Sequence, residues 1–506
     1  MGGILTIGQT ALNAAQLALN TVTHNIANVN TPGYTRQETI QAASLGNSTG
    51  AGFFGQGVQI VTVQRVYSDF LVRQTHEARA SSSSAAVTAQ QLSQLDNLLG
   101  DPTVGLSPEL QAFFTAANQV ANSPSNTAAR QSLLSGAQAL VSRFDQFQTR
   151  FDEIRSGLSG LAQASLSEIN SAAREVAHLN DAISLAEGRA GGQPANDLRD
   201  QRDALVNQIN AQIKTSVVRQ SDGSFNLFIG NGQALVLGNQ AASLSLQPGA
   251  DDPSRFSVSL TLSGTTQPLS ASLLTGGTIG GLLAFRSASL DAAQNELGRI
   301  ALGFAASMNA QHRLGLDAYG NPGGDLFNFD LPNGVPHADN TGSGVVGIAI
   351  RDAAALTSSD YRVGYDGSQY TITRLSDQTT QNFATLPATV DGLDFTLASG
   401  APAAGDSFLV RPTAQAAGSL SVAFSDPLKI AAAGPVSTHA PTTNLGTAAI
   451  GLASVDSSYL ATPLVAPYTL SYSGGSLSGF PAGFPITVEV AGVTTTYPAG
   501  ATVPYA

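Results

Sequence analysis

The chain has no cysteine and no tryptophan, and its only lysines are Lys214 and Lys429. Without cysteine there are no disulfides, thiolate metal sites or thiol nucleophiles. With 23 basic against 35 acidic residues the net charge is −12 and no basic stripe exists, which argues against nucleic acid or an anionic membrane as a partner. No apolar run reaches the roughly 18 residues of a membrane span. The start, Met1-Gly2-Gly3-Ile4-Leu5, has no basic segment and no cleavage site after an apolar core. Secretion would therefore proceed without an ordinary signal peptide. Charged residues are scarce at 11%, against about 25% in an average protein. Ala, Ser, Gly, Gln, Asn and Thr fill the surface instead, a composition that suits a subunit packed among other subunits and equally a loosely folded secreted protein. The hydrophobic share of 42% supports real cores, and the length suggests about three domains.

What is present begins at once. Residues 4–29 carry one uninterrupted heptad in which Leu5, Leu12, Leu19 and Ile26 share one seam position and Gly8, Ala15, Val22 and Val29 the other. A helix of this kind is marginal in water without a partner, so the chain opens on an assembly element. Gly8 and Ala15 allow close backbone approach, and Asn25, Asn28 and Asn30 are placed to hydrogen-bond across a contact. The helix should stop near Asn28 to Asn30, because Asn tolerates a left-handed cap and Pro32 cannot continue a helix. Pro32-Gly33 predicts a type II turn. Tyr34 to Ile40 and Gly57 to Val66 read as extended segments around a Gly/Ser loop, Leu45 to Gly57.

Residues 81–210 read as helix. Leu92, Leu95 and Leu99 start the pattern, and Leu110, Phe113, Phe114 and Val120 continue it past Asp101-Pro102 and Ser107-Pro108, which read as breaks. A heptad follows through Leu140, Phe144, Phe147, Phe151, Ile154, Leu158 and Leu161; the three phenylalanines predict core packing. The register slips beside Gly157 and Gly160 and resumes at Leu166, Ile169, Ala173, Val176 and Ile183. That implies either a rotating apolar face or a bend at the glycines. Gly191-Gly192-Gln193-Pro194 is a break, and Leu198 to Ile213 a further helix. A β-hairpin insert is expected over about 216–262, with Ser221-Asp222-Gly223-Ser224 as its turn. Helix returns from Gly280 to about Arg313, with Gly276 to Gly281 as a flexible lead-in. Residues 331–506 read as strands and turns. Thr357-Ser358-Ser359-Asp360-Tyr361 and Val455-Asp456-Ser457-Ser458-Tyr459 suggest a repeated module, the second stopping in mid-pattern at Ala506.

No catalytic residue, cofactor site or metal site is expected. None of His24, His76, His178, His312, His337 and His439 has metal-ligand spacing, and solvated or interfacial histidine is the default for all six. His76-Glu77 lacks a second histidine because position 80 is Ala. Gly342-Ser343-Gly344-Val345-Val346-Gly347 matches a dinucleotide fingerprint by letters, but no strand precedes it and it reads as a loop. Arg199 and Asp203 stand four apart on a helix, within a charged run from Asp197 to Asp203 expected to form a solvated or intersubunit face.

Asn25-Ile26-Ala27-Asn28-Val29-Asn30-Thr31-Pro32-Gly33-Tyr34-Thr35-Arg36-Gln37 resembles the N-terminal motif of bacterial flagellar rod, hook and hook-associated proteins. Asn196 to Leu205, Phe304 to Arg313, Gly315-Leu316-Asp317 and Gly323-Gly324-Asp325-Leu326-Phe327 resemble one branch, the hook-associated protein 1 (FlgK) family, over about residues 1–430. The resemblance implies a structural subunit at the junction of hook and filament, exported through the flagellar type III apparatus to the extracellular flagellum. It implies as partners other copies of the chain, hook protein, a second junction protein, the export apparatus and a chaperone. A hook or distal rod protein is the alternative, and a secreted β-rich adhesin a more distant one. Family members end in a second heptad helix that pairs with the first in an inner tube. Pro481, Pro485, Pro498 and Pro504 rule out a long helix in residues 480–506, so a C-terminally truncated member is expected.

The fold class expected is therefore multidomain α+β: a long N-terminal coiled-coil-type helix, a helical body with a β-hairpin insert, and C-terminal β-rich modules. The divisions expected are 1–80 for the axial helix and extended segment, 81–330 for the helical body, 331–440 for an outer β-rich domain and 441–506 for an incomplete second β-module. Subunit contacts are expected from Leu5, Leu12, Leu19, Ile26, Asn25, Asn28 and Asn30, with Pro32, Gly33 and Tyr34 setting the corner.

Overall fold

The heptad forms one helix, α1 (Gly2–Ala27), followed by a turn and an antiparallel ribbon of β1 (Gln37–Ala43) and β4 (Val58–Arg65). The structure, a computed structural model, describes residues 2–50, 52–100, 105–446, 450–451, 453–464, 466–490 and 492–505. The expected Asp101-Pro102 break lies outside these residues, as do Met1 and Ala506. The Gly/Ser loop between the ribbon strands carries its own hairpin, β2 (Asn47–Thr49) with β3 (Gly52–Phe54).

Helix α2 (Asp69–Leu99) starts twelve residues before the expected 81, at an Asp69 first turn behind the N-cap Ser68. Its early turns are rich in Ala and Ser and bury His76 and Ala80, so no large apolar stripe announces them. Pro108 is no break: it sits in the first turn of α3 (Leu106–Asn122), where its missing N–H costs nothing. α4 (Thr127–Arg189) is one unbroken helix of 63 residues. Its apolar face rotates at the register slip. Leu158, Ala162 and Leu166 are buried while Leu161 is 47% exposed, and Gly157 and Gly160 face open space.

After α5 (Asn196–Gln212) the insert is larger than a hairpin and runs on to Leu269. β5 (Thr215–Arg219), β6 (Phe225–Ile229), β7 (Gln233–Leu237) and β8 (Gln240–Ala241) form one antiparallel sheet. β9 (Ser243–Pro248), β10 (Phe256–Leu262) and β11 (Thr265–Leu269) form a second. Helix α6 (Gly277–Phe285) passes through one π-helical turn into α7 (Asp291–Arg313). Its lead-in is packed rather than flexible. A Cβ on Gly277 would lie 2.5 Å from the Gln212 carbonyl carbon, and one on Gly281 2.6 Å from the Ser84 oxygen. Gly277 lets α6 approach the end of α5, and Gly281 lets it press onto the Ala/Ser stretch of α2.

Next come β12 (Phe327–Asn328), β13 (Val335–Pro336), β14 (Val345–Ile350), β15 (Tyr361–Tyr365), β16 (Tyr370–Arg374), β17 (Thr380–Phe383), β18 (Ala388–Val390), β19 (Leu393–Ser399), β20 (Ser407–Val410), a single turn α8 (Ala416–Ser419) and β21 (Ser421–Val422). They form a five-stranded sheet, β13-β20-β15-β16-β17, a three-stranded sheet, β14-β19-β18, and the pair β12-β21. Tyr361, Val363, Phe395, Phe408 and Val410 fill the core between them. The Gly342 to Gly347 fingerprint is a loop entering β14; Asp406 ties it down by accepting from the N–H groups of Thr341 and Gly342 at 2.9 and 3.0 Å.

The suggested repeat is not structural. Tyr361 lies in a strand, whereas Tyr459 lies in the short helix α9 (Ser457–Ala461), because the Asp456 carboxylate caps it by accepting from the Ser458 N–H. β22 (Ser471–Ser473), β23 (Ser476–Ser478) and β26 (Val503–Pro504) make a small sheet, and β24 (Ile486–Val490) with β25 (Val493–Tyr497) a hairpin.

The chain packs as two units. One comprises Met1–Thr115, Ser135–Ala306 and Phe327–Val422; the other Ala116–Leu134, Ser307–Leu326 and Ala423–Ala506. In the first, Phe113, Phe304 and Phe327 cluster with centroid distances of 5.2–6.0 Å, and Phe144, Phe147 and Phe151 are buried.

Candidate subunit interface

Helix α1 has two unlike faces. Thr10, Ala14, Ala18, Thr21 and Asn25 turn toward the chain's own β1–β4 ribbon, and Ala14 is buried to 4% exposure. The approach is close: a Cβ on Gly57, at the ribbon's edge, would meet the Thr10 hydroxyl at 2.2 Å. The heptad leucines point the other way. Leu5, Leu12, Leu19 and Ile26 are 77%, 68%, 64% and 68% exposed, and at 100° per residue they lie opposite Ala14. Gly8 has open space where a Cβ would sit. Ile4 and Val22 widen the same exposed stripe, and Val29 is exposed in the turn that follows. Small residues thus serve the intramolecular contact and large ones are left over.

The corner after α1 is built from the sequence motif itself. The Thr31 carbonyl accepts from the Tyr34 N–H at 3.1 Å, and Gly33 has φ of +84°, which makes Thr31-Pro32-Gly33-Tyr34 the expected type II turn. A side chain at 33 would also approach the Ala204 Cβ on α5 at 3.3 Å. Asn28 closes the helix end, donating from Nδ2 to the His24 carbonyl and accepting the Thr31 hydroxyl. Asn25 is engaged within its own chain. Its Nδ2 donates to the Gln37 carbonyl at 2.8 Å, and its Oδ1 accepts the Gln37 N–H at 2.9 Å and the Tyr34 hydroxyl at 2.6 Å. Asn30 and Pro32 are exposed on the turn.

The charged run on α5 is the second half of this corner, not a solvated face. Arg65, at the end of β4, places one guanidinium nitrogen 2.6 Å from Asp200 and 2.7 Å from Asp203, with all three side chains at most 13% exposed. Asp200 also accepts the Thr35 N–H at 3.0 Å. Asn196 donates to the Val63 carbonyl at 2.8 Å and to Gln37 at 3.2 Å, and Gln37 donates to Asp197 at 3.1 Å. Arg199 pairs with Glu187 at 2.7 Å rather than with Asp203. Arg202 is buried: it donates to Asn180 and to the Gly223 carbonyl, both at 2.9 Å, and stacks 3.5 Å from the centre of the Phe225 ring.

Burial shapes the electrostatics. It pushes the Asp203 carboxyl above the usual carboxylate range against the pull of Arg65, and draws the Arg202 guanidinium down to about 10. It also opposes the charged form of Glu187, but hydrogen bonds from Arg199 and the Ala195 N–H hold that carboxyl below its ordinary value. Asp200, Asp203, Asn196, Gln37 and Arg65 were not readable as a set, because a lone strand arginine carries no signal for the helix it meets 135 residues later.

Two histidines depart from the solvated default. His76 is buried and desolvation lowers its pKa. His312, in the second unit, bridges two backbone segments: Nδ1 donates to the Gly324 carbonyl at 2.7 Å, and Nε2 accepts the Ala431 N–H at 2.8 Å. The ring is the neutral Nδ1–H tautomer, and desolvation lowers its pKa. Among the described residues no group of three or more His, Asp or Glu is gathered as metal ligands, and no helix is long and apolar enough to cross a membrane.

Both halves of the corner fall in segments shared with known proteins. Residues 5–35 match a family model described as flagella basal body rod protein, residues 92–327 the helical domain of flagellar hook-associated protein FlgK, and residues 335–412 the D2-like domain of flagellar hook-associated protein 1. Flagellar hook-associated protein 1 of Escherichia coli K12 is 36% identical over 440 residues, covering 86% of this chain and 80% of that protein. The chain belongs to the flagellar hook-associated protein 1 family. The Salmonella typhimurium member is 37% identical over 440 residues, covering 86% and 79% of the two chains. The solved structure of the flagellar hook junction protein FlgK from Burkholderia pseudomallei superimposes with a TM-score of 0.79 at 35% identity, covering 86% of this chain and 80% of that one. The FlgK-family assignment accounts for the α+β architecture of terminal helix, helical body and β-rich sheets.

Proposed function

We infer that this chain is a structural subunit of the bacterial flagellum, forming the junction between hook and filament. The observation that carries the reading is the division of α1: its own ribbon occupies the small-residue face, and the leucine stripe is left exposed, which suits packing against helices of other subunits. A rigid corner supports it, since α1 leaves the body at an angle held by Asn25, Gly33 and the Arg65–Asp200–Asp203 cluster. The match to the rod model ends at residue 35 while the FlgK helical-domain model runs over 92–327, which favours the junction over hook or distal rod. Neighbouring copies of the chain are the first partners of the stripe. Hook protein on one side and a second junction protein on the other follow from the position. Export through the flagellar type III apparatus with a chaperone, and an extracellular location, belong to the same reading.

The test is a chain with Leu5, Leu12, Leu19 and Ile26 all changed to Ser. The isolated monomer should melt as the parent does, because these side chains are already in water. Incorporation at hook tips and motility should be lost. Wild-type incorporation by the four-serine chain would sink the reading.

A further inference from the structure

Away from α1, a cavity of about 330 Å³ opens in the first unit where α4, α7, the β9–β10 loop and the segment after β20 meet. Asp152, Arg155, Ser156, Ser254, Gln294 and Arg411 are on its wall. The arginines belong to a buried ionic cluster. Arg411 reaches Asp252 at 2.9 Å, Arg255 reaches Asp291 at 3.0 Å and Asp360 at 3.2 Å, and Arg155 reaches Asp291 at 3.4 Å. Counting Arg286, which donates to the Phe256 carbonyl, four arginines face three buried aspartates. The fourth carboxylate, Asp152, pairs with Arg155 from the rim and is 57% exposed.

These pairings do not use every donor. Nε2 of Gln294, Nη2 of Arg411 and Nε of Arg155 are buried without an acceptor. Gln294 is 1% exposed and the Arg411 side chain 10%. Buried donors of this kind are normally filled. We propose that this cavity is a binding site for a small oxyanion of the phosphate or sulfate class. Such an ion takes N–H groups from two arginines and an amide at once and fits a cavity of this size without displacing any side chain. None of the buried aspartates lines the cavity, so the anion meets only Asp152, at the rim. Bound there, it would tie the helical body to the β-rich sheets that follow it.

Thermal melting of the full chain tests the site, with orthophosphate titrated against chloride at matched ionic strength. Preferential binding to the folded state predicts a saturable rise of about 2–4 °C. Gln294→Met should abolish the rise. Ser156→Glu, at an exposed position of α4 on the cavity wall, should abolish it in a chain that still melts cooperatively in chloride, which separates loss of the site from damage to the fold. A rise that never saturates and persists in Ser156→Glu is general salting of the surface and overturns the proposal, as does no rise in the parent chain.

Discussion

Asn25 and Gln37 exchange two hydrogen bonds. The Asn25 side-chain amide donates to the Gln37 carbonyl at 2.8 Å and accepts the Gln37 N–H at 2.9 Å. A side chain near the end of α1 thereby takes the place of a strand partner for the first residue of β1. It satisfies both backbone groups of Gln37, which is buried, and fixes where the ribbon returns along the helix.

Asn25→Ala should therefore cost about 1–3 kcal/mol, since it leaves a buried N–H and C=O without partners. Asn25→Asp keeps the acceptor for Gln37 and Tyr34 but loses the donor, and should fall between the two. Amide hydrogen exchange at Gln37 reads the effect directly. Parent-like protection in Asn25→Ala would contradict the assignment.

Arg65→Met should be more severe, at about 3–5 kcal/mol, because it leaves Asp200 and Asp203 buried together without their cation. The Thr35 amide, which donates to Asp200, should exchange faster. Adding Asp203→Asn to Arg65→Met should recover part of the loss by removing one of the two stranded charges. No recovery would mean that packing, not charge, dominates at this corner.

The corner was legible from the sequence on one side only. Helix α1, its stop at Asn28, the Pro32-Gly33 turn and the strand beyond follow from local chemistry, and the structure bears them out. What Asn25 does was not legible, because an asparagine on a heptad helix fits an intersubunit bond and a backbone bond equally well. The α5 charges were misread for the same reason: i,i+4 spacing favours Arg199 with Asp203, and only tertiary structure brings Glu187 and Arg65 nearer. The Ala/Ser stretch of α2 hid a packing surface, since small residues signal contact only once the glycines of α6 are set against them.

That small-against-small packing gives a paired prediction. Gly281→Ala should destabilise by about 1–3 kcal/mol, because the new methyl meets the Ser84 carbonyl oxygen at 2.6 Å. Gly157→Ala should stabilise by about 0.5–1 kcal/mol, since that glycine lies mid-helix with open space around it. Denaturant midpoints of the two variants should move in opposite directions. Equal effects would show that helix propensity alone governs both sites.

His312 predicts how the second unit responds to acid. In the folded chain its Nε2 is committed as an acceptor to the Ala431 N–H, and desolvation holds its pKa below the ordinary 6.5. The unfolded chain therefore takes up the proton first as pH falls. The stability tied to the neutral ring is fully present above pH 6.5 and is lost progressively below it, down to the depressed folded value. His76, also lowered by desolvation, adds a loss of the same sign from the first unit. Melting temperature should hold steady from about pH 8 to 7 and fall toward pH 5.5. His312→Gln, whose amide supplies N–H donors and a carbonyl acceptor but does not titrate in this range, should flatten part of that fall. It should be less stable than the parent at pH 7.5, where the ring geometry fits the Gly324 and Ala431 groups better than an amide does. If His312→Gln retains the full acid-dependent drop, the transition belongs to His76 or to carboxylates, and the ring bridging Gly324 and Ala431 is not the acid-sensitive contact.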